Sequence, residues 1–365
     1  MTVLTQDLLD RIRSRAAGYD ASNTFFAEDL AELRDAGHLA PRSLLETARD
    51  QRLLAAYAPA TALGINMHLV WTGVARVLSE RGDPSLDWVL ADAAAGELFA
   101  FGNSEAGNDL VLWDSLTTAT PVEGGWAFTG TKIFTSLAPA WTRLGIFGRF
   151  EDQLIHGFVD RTSPGVTTLD DWDTLGMRAT QSRTTVLDGA FVPSDRVSRV
   201  LPVGPSADPF VFGIFSNFLL LIGSVYAGIA DRALELAVLS AGQRKSLKSG
   251  LTYDQDPDIR WRIADAALAV DALAPQLETL AMDVDTHVDH GGAWFRYLTG
   301  AKHRSTEAAR YVVDQALRVA GGSGYRTSSE LARLQRDVLA GIYHPSDTES
   351  IHATVATNLL GPAAG

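Results

Sequence analysis

The chain carries eight histidines and no cysteine. Thiolate nucleophiles, disulfides, iron–sulfur clusters and cysteine-ligated zinc are therefore excluded, and proton chemistry near neutral pH must rest on imidazole or carboxylate groups. Two histidines stand in settings that suit catalysis. His344 lies in Tyr343-His344-Pro345-Ser346-Asp347-Thr348-Glu349, a turn-rich stretch ahead of a helical pattern, and His68 closes the apolar run Ala62-Leu63-Gly64-Ile65-Asn66-Met67. An imidazole titrating near neutrality can donate a hydrogen bond and shuttle a proton. His68 on an apolar helix equally suits a satisfied core position. Gly321-Gly322-Ser323-Gly324 offers main chain that can approach a phosphate closely, or a plain helix stop. Phe134-Thr135 offers a flat apolar cover beside a hydroxyl. His287 and His290, near Asp283, Asp285 and Asp289, suit an exposed helix C-terminus better than a metal ligand set, so no metal is expected. No G-x-S-x-G elbow supports a hydrolase.

Three regions position these residues. Residues 1–97 carry apolar residues at helical spacing (Leu8, Leu9 and Ile12; Leu30 and Leu33; Leu69, Val70, Val74 and Val77) and read as a helical domain. Residues 98–203 break into short β-rich runs separated by turn residues and read as an antiparallel β-domain. Residues 204–365 return to helical spacing in four long segments, roughly 210–247, 257–288, 292–320 and 328–359, which predicts a four-helix bundle. The third segment shows the pattern best: Ala309, Val312, Val313, Ala316, Leu317 and Ala320 share one stripe. The apolar run 210–230 is interrupted by Ser216, Asn217, Gly223 and Ser224, which favours a buried bundle helix over a membrane span. A net charge of −13 argues against nucleic acid and against an anionic membrane as partners. The N-terminal stretch is an amphipathic polar helix without an apolar signal core, so a cytoplasmic location is expected.

Within that order, four motifs resemble the acyl-CoA dehydrogenase superfamily over nearly the whole chain. Gly102-Asn103-Ser104-Glu105-Ala106-Gly107-Asn108-Asp109 is similar to the family's loop along the flavin, with Ser104 at the position of a flavin-bonding threonine. Gly130-Thr131-Lys132-Ile133-Phe134-Thr135-Ser136 resembles the strand that covers the isoalloxazine ring. Trp172 to Ser182, followed by Val186 to Pro193, resembles the second β-domain signature. Ala301-Lys302, Gln315, Gly321-Gly322-Ser323-Gly324-Tyr325 and Arg336-Asp337 resemble the bundle segment that meets the adenosine diphosphate of a neighbouring subunit's FAD, and Arg244 resembles an arginine that assists there. The resemblance implies an α+β fold of helical domain, β-domain and bundle. It also implies a homotetramer and an FAD cofactor (FMN in part of the family). Ser104, Phe134, Thr135, Ser136, Arg244, Gln315, Gly321, Gly322, Gly324 and Thr348 are then expected on the flavin.

One departure shapes the expected reaction. The family's dehydrogenases remove a substrate proton with a glutamate just after the Arg-Asp helix, and here His344 or Pro345 occupies that place. Asp347 and Glu349 suit N-capping and first-turn charge on the next helix. The sequence resembles instead the branch containing dibenzothiophene monooxygenase, in which flavin reduced by a separate reductase reacts with O₂ to a C4a-hydroperoxide. That resemblance makes His344 and His68 the expected catalytic pair and a small hydrophobic molecule the expected substrate, with Phe210, Phe212 and Phe215 hinting at an apolar pocket. The alternatives are an acyl-CoA dehydrogenase with a non-standard base, served by an electron-transfer flavoprotein, and a ligand-binding homologue without activity.

Overall fold

The computed structural model describes residues 2–361. Its N-terminal part is five helices: α1 (Gln6–Ser22), α2 (Ala27–Asp35), α3 (Leu44–Ala55), α4 (Pro59–Glu80) and α5 (Asp87–Ala94). Side-chain caps start several of them, as the sequence leads one to expect. Thr5 accepts from the Leu8 amide to open α1, and Ser43 accepts from the Glu46 amide to open α3. Leu8, Leu9 and Ile12 are buried from α1 and nearly all of α4 is buried, so α4 is the central helix of this layer.

Eight strands follow: β1 (Phe99–Gly102), β2 (Thr118–Val122), β3 (Gly125–Thr135), β4 (Arg143–Phe150), β5 (Gln153–Asp160), β6 (Val166–Thr168), β7 (Arg183–Pro193) and β8 (Val197–Pro202). They form one sheet in the order β6-β7-β3-β2-β4-β5-β8, with β1 also on β4. The expectation of a purely antiparallel sheet is corrected: β1 runs parallel to β4 and β2 meets β4 in parallel register at Thr118 and Arg149. Parallel neighbours need long connections rather than hairpins, and the chain supplies them through the 103–117 loop and β3.

The C-terminal part comprises α6 (Pro209–Gln243), α7 (Pro257–Asp271), α8 (Leu273–Asp285), α9 (Ala293–Ala320), α10 (Glu330–Val338) and α11 (Thr348–Leu360). Two of the four expected segments are broken. The second splits at Ala272, where Pro275 can neither donate to Asp271 nor leave its carbonyl room. The fourth splits around the 339–347 turn that carries His344. Helix α6 has a stretch of mean hydropathy 1.9, apolar enough to cross a membrane, but 83% of that stretch is buried against α9, α4 and α3. Protein, not lipid, covers it.

Candidate active site

Strand β3 ends in a bulge. Its register against β7 shifts between Lys132 and Thr135, and Phe134 takes a left-handed backbone conformation at φ 56°. A side chain at that φ costs about 1–2 kcal/mol, a strain that folds retain where they must aim a residue. The result is a phenyl ring left 50% exposed, edge-on to Trp172 at 6.1 Å between centroids. Thr135 turns inward, and among the described residues its buried Oγ1 has no partner; neither does Nδ2 of buried Asn103. The Ser104 carbonyl accepts from the Ile133 amide at 2.9 Å, which sets the 102–109 loop beside Phe134 and Thr135.

A buried ion pair fixes this arrangement. Lys132 Nζ lies 2.7 Å from Glu105 Oε1 and also donates to the Phe147 carbonyl at 2.8 Å. The Glu105 carboxylate accepts further from Ser115 Oγ, Thr117 Oγ1, the Leu116 and Thr117 amides and Asn108 Nδ2. Burial opposes its charge, but Lys132 and these donors outweigh burial and hold its pKa at about 2. Burial lowers Lys132 to about 8, and Glu105 limits the fall. Loop and strand are thus stapled together by a fully bonded charge pair.

A second cluster joins α9 to the end of α6. Gly321 ends α9 at φ 63°, and a Cβ there would stand 3.1 Å from the Arg244 guanidinium. Arg244 donates to the Val319 carbonyl at 2.6 Å, a cation on a helix C-terminus, and lies over Tyr253. Gly322 is exposed with open space around it, Gly324 has an ordinary helical φ of −68°, and Tyr325 is 89% exposed. Only Gly321 therefore needs to be glycine for conformational reasons.

The third cluster surrounds His344, half-buried in the turn after α10. Its Nε2 is 2.9 Å from the hydroxyl of Tyr226, a fully buried residue of α6. Buried Lys302 of α9 donates to three carbonyls of the turn, those of Gly341, His344 and Ser346, at 3.2, 3.0 and 2.7 Å. Burial, and then the Lys302 charge, lower the His344 pKa to about 3, so its ring is neutral. Asp347 caps α11 through the Ser350 amide and hydroxyl, and those bonds to Ser350 pull its carboxyl below the ordinary range. Thr348 opens α11 beside it. Among the described residues no hydrogen bond joins the three clusters directly. The first and third are linked through the Trp172–Gln181 segment, where the Met177 amide donates to buried Asp337 of α10 at 2.6 Å.

Four of the expected residues are engaged by the protein itself. His68 is 1% exposed, its Nε2 meets the Leu39 carbonyl at 3.0 Å and its Nδ1 accepts from the Phe99 amide at 3.3 Å, which leaves neither nitrogen for a ligand in this arrangement. Ser136 also turns inward, into a hydroxyl chain with Ser182 and Thr180. Gln315 is taken up within the bundle by Arg262 at 2.9 Å. Phe210 is core, packed against Trp71 and His156, whereas Phe215 and Phe218 are half-buried beside Phe295 and Phe101. Sequence reading missed the roles of Tyr226, Lys302 and the Glu105–Lys132 pair. A lysine inside a β-run and another inside an apolar helix stripe were the available signals, since such charges are buried only when bonded; Tyr226 gave none.

These residues suit a flavin. The exposed Phe134 ring is a cover for a flat ring system, and the orphaned Thr135 hydroxyl is a donor for its polar edge. The comparisons with known proteins agree with that fit. Residues 220–346 match a family model described as acyl-CoA dehydrogenase, C-terminal domain. The putative acyl-CoA dehydrogenase YdbM of Bacillus subtilis is 28% identical, with 96% of this chain and 94% of that protein covered. L-evernosamine nitrososynthase of a Micromonospora species is also 28% identical, over 93% and 84%. Dibenzothiophene monooxygenase of Mycolicibacterium goodii is 30% identical over 67% and 64%, so the nitrososynthase likeness extends further along this chain than the one expected from motifs. The X-ray structure of KijD3 with FMN and a dTDP-linked amino sugar superposes with a TM-score of 0.83 at 24% identity, covering 98% of this chain and 92% of KijD3. With its helical, mixed-sheet and bundle regions in the same order and its family segment running from α6 through the His344 turn, the chain belongs to the acyl-CoA dehydrogenase superfamily of flavin-dependent oxidoreductases.

Proposed function

We propose that the protein is a monooxygenase that uses reduced flavin and dioxygen on a small, largely hydrophobic substrate. One observation carries this reading. Where a dehydrogenase of this family needs a carboxylate base, the turn after α10 holds a neutral imidazole bonded to a buried tyrosine, and the carboxylate three residues further along, Asp347, is occupied as a helix cap. Losing a general base costs on the order of 10² to 10⁴ in rate, too much for an unmodified dehydrogenase. When bound, flavin supplies the electrons and activates oxygen. The chain's own residues do the rest: Phe134 and Thr135 seat the ring, apolar walls exclude water, and His344 presents a hydrogen-bond donor. Phe101 stacked on Phe218 at 5.5 Å, next to the Gly102–Ser104 loop, and Phe215 against Phe295 supply the apolar wall for the substrate.

The nitrososynthase likeness favours a second reading of the same chemistry, oxygen transfer to the nitrogen of an amino sugar nucleotide. Either way we assign a cytoplasmic homotetramer supplied with electrons by a separate flavin reductase. Exposed Trp261 and Leu268, seven residues apart on the outer face of α7, support the assembly, as does Tyr325 beside Gly321. FAD is favoured over FMN because Arg244 and Gly321 make a cradle suited to a diphosphate.

Stopped-flow absorbance tests the reading. Protein loaded with reduced flavin without oxygen and then mixed with O₂ is expected to pass through a long-lived species unlike either reduced or oxidised flavin. Direct reoxidation, together with bleaching of the oxidised flavin by an acyl-CoA, would return the protein to the dehydrogenases. Mass spectrometry of an apolar aromatic probe and of an amino sugar nucleotide, looking for one added oxygen, separates the two substrate readings.

A further inference from the structure

The Tyr226–His344 pair has a direction. Tyr226 is fully buried, and among the described residues its hydroxyl meets only Nε2 of His344. If the imidazole donated, the tyrosine hydrogen would be buried with no acceptor, an arrangement that folded proteins avoid. The hydroxyl must therefore donate, which requires an unprotonated Nε2 and places the ring hydrogen on Nδ1. Nδ1 has no partner among the described residues and is not among the buried orphan atoms.

We propose that Tyr226 is a positioning residue that locks His344 as its Nδ1–H tautomer and so makes it a permanent neutral hydrogen-bond donor rather than a base. Burial and the ammonium of Lys302 on α9, held against the backbone of the same turn, oppose a second proton on the ring; the carboxylates that face the pair are Asp337 of α10, near Tyr226, and Asp347, which bonds Ser350 on its own side of the turn. Gly341 makes the pair possible, because a Cβ there would stand 2.9 Å from the Tyr226 ring. That the donor serves oxygen transfer rests on the function proposed above; the tautomer does not.

His68 provides an internal reference of the opposite kind. Its Nδ1 accepts from an amide and its Nε2 faces a carbonyl, so it must carry its hydrogen on Nε2.

The test is long-range proton–nitrogen NMR on the full-length chain labelled with ¹⁵N-histidine, recorded between about pH 5 and pH 8. Its signals are assigned by His344→Asn and His68→Asn. His344 is expected to show a protonated Nδ1 and an unprotonated Nε2 throughout, with His68 the reverse. Tyr226→Phe is expected to move His344 toward the Nε2–H form or to give it a titration in that range, while the flavin dissociation constant changes less than threefold. Gly341→Ala, which removes no polar group, is expected to do the same. A protonated Nε2 in the unaltered protein, or a Tyr226→Phe spectrum identical to it, overturns the proposal. A confirmed tautomer in a protein that adds no oxygen to either probe would overturn the assigned function alone.

Discussion

The two sides of the site solve the problem of buried polarity in opposite ways. On the β-domain side, a lysine and a glutamate are buried as ions and every charge is bonded several times over. On the bundle side, in the turn where the resemblance expects the dehydrogenases' carboxylate, stands a neutral histidine, bonded by a tyrosine and held in a turn that a lysine grips only through backbone carbonyls. A charge pair suits a place that must not move, because breaking it leaves a bare ion in a dry interior. A neutral donor suits a place where ligand must come and go, because it carries no fixed charge that the apolar substrate proposed above would have to cover.

The largest expected effect comes from breaking the ionic side. Glu105→Ala strands Lys132 and should destabilise the fold by about 3–5 kcal/mol, while adding Lys132→Met should recover much of that loss. Thermal melts of the single and double variants check this; a double variant no better than the single one would mean that the pair does not act as a unit. Breaking the neutral side should weigh on activity instead: His344→Ala is expected to cost only about 1–3 kcal/mol of stability, through the Tyr226 hydroxyl it leaves without an acceptor, and to cut coupled product formation on the order of 10²-fold or more.

Asp337, between the two sides, should set a pH dependence. Burial raises its pKa to about 6 in the fold, against about 4 in an unfolded chain. Below about pH 4 it is protonated in both states and costs nothing. As pH rises from 4 to 6 the unfolded chain ionises first, so its contribution to stability falls, by about 3 kcal/mol once both states are ionised. Denaturant melts of Asp337→Asn against the unaltered protein across pH 4–7 should show that slope as their difference; parallel curves would mean that Asp337 does not titrate as a buried carboxyl. The smallest effect sharpens the fit to flavin. Thr135→Val removes a hydroxyl that has no partner among the described residues, so stability should stay within about 0.5 kcal/mol, while flavin should bind about fivefold more weakly, the loss of about one hydrogen bond. Unchanged flavin affinity would take Thr135 out of the site.

Much of the design was readable from residue order. The 3.6-residue stripe on α9, the β-rich runs from Phe99 onward and the absence of cysteine are local properties, so element type and the classes of chemistry excluded followed from the sequence alone. The departure from the dehydrogenase motif was legible too, because His344 or Pro345 falls where the resemblance expects a glutamate. Partners were not legible, since a side chain's neighbours in space are set by packing between distant segments. Nothing in Met67-His68-Leu69 announces that its imidazole meets Leu39 and Phe99, and nothing in Val225-Tyr226-Ala227 announces a partner 118 residues away. The sequence supplied the groups that could do the chemistry. The tertiary structure decided which nitrogen of which histidine is free to do it, because only burial and the exclusion of water force each buried donor to find one acceptor.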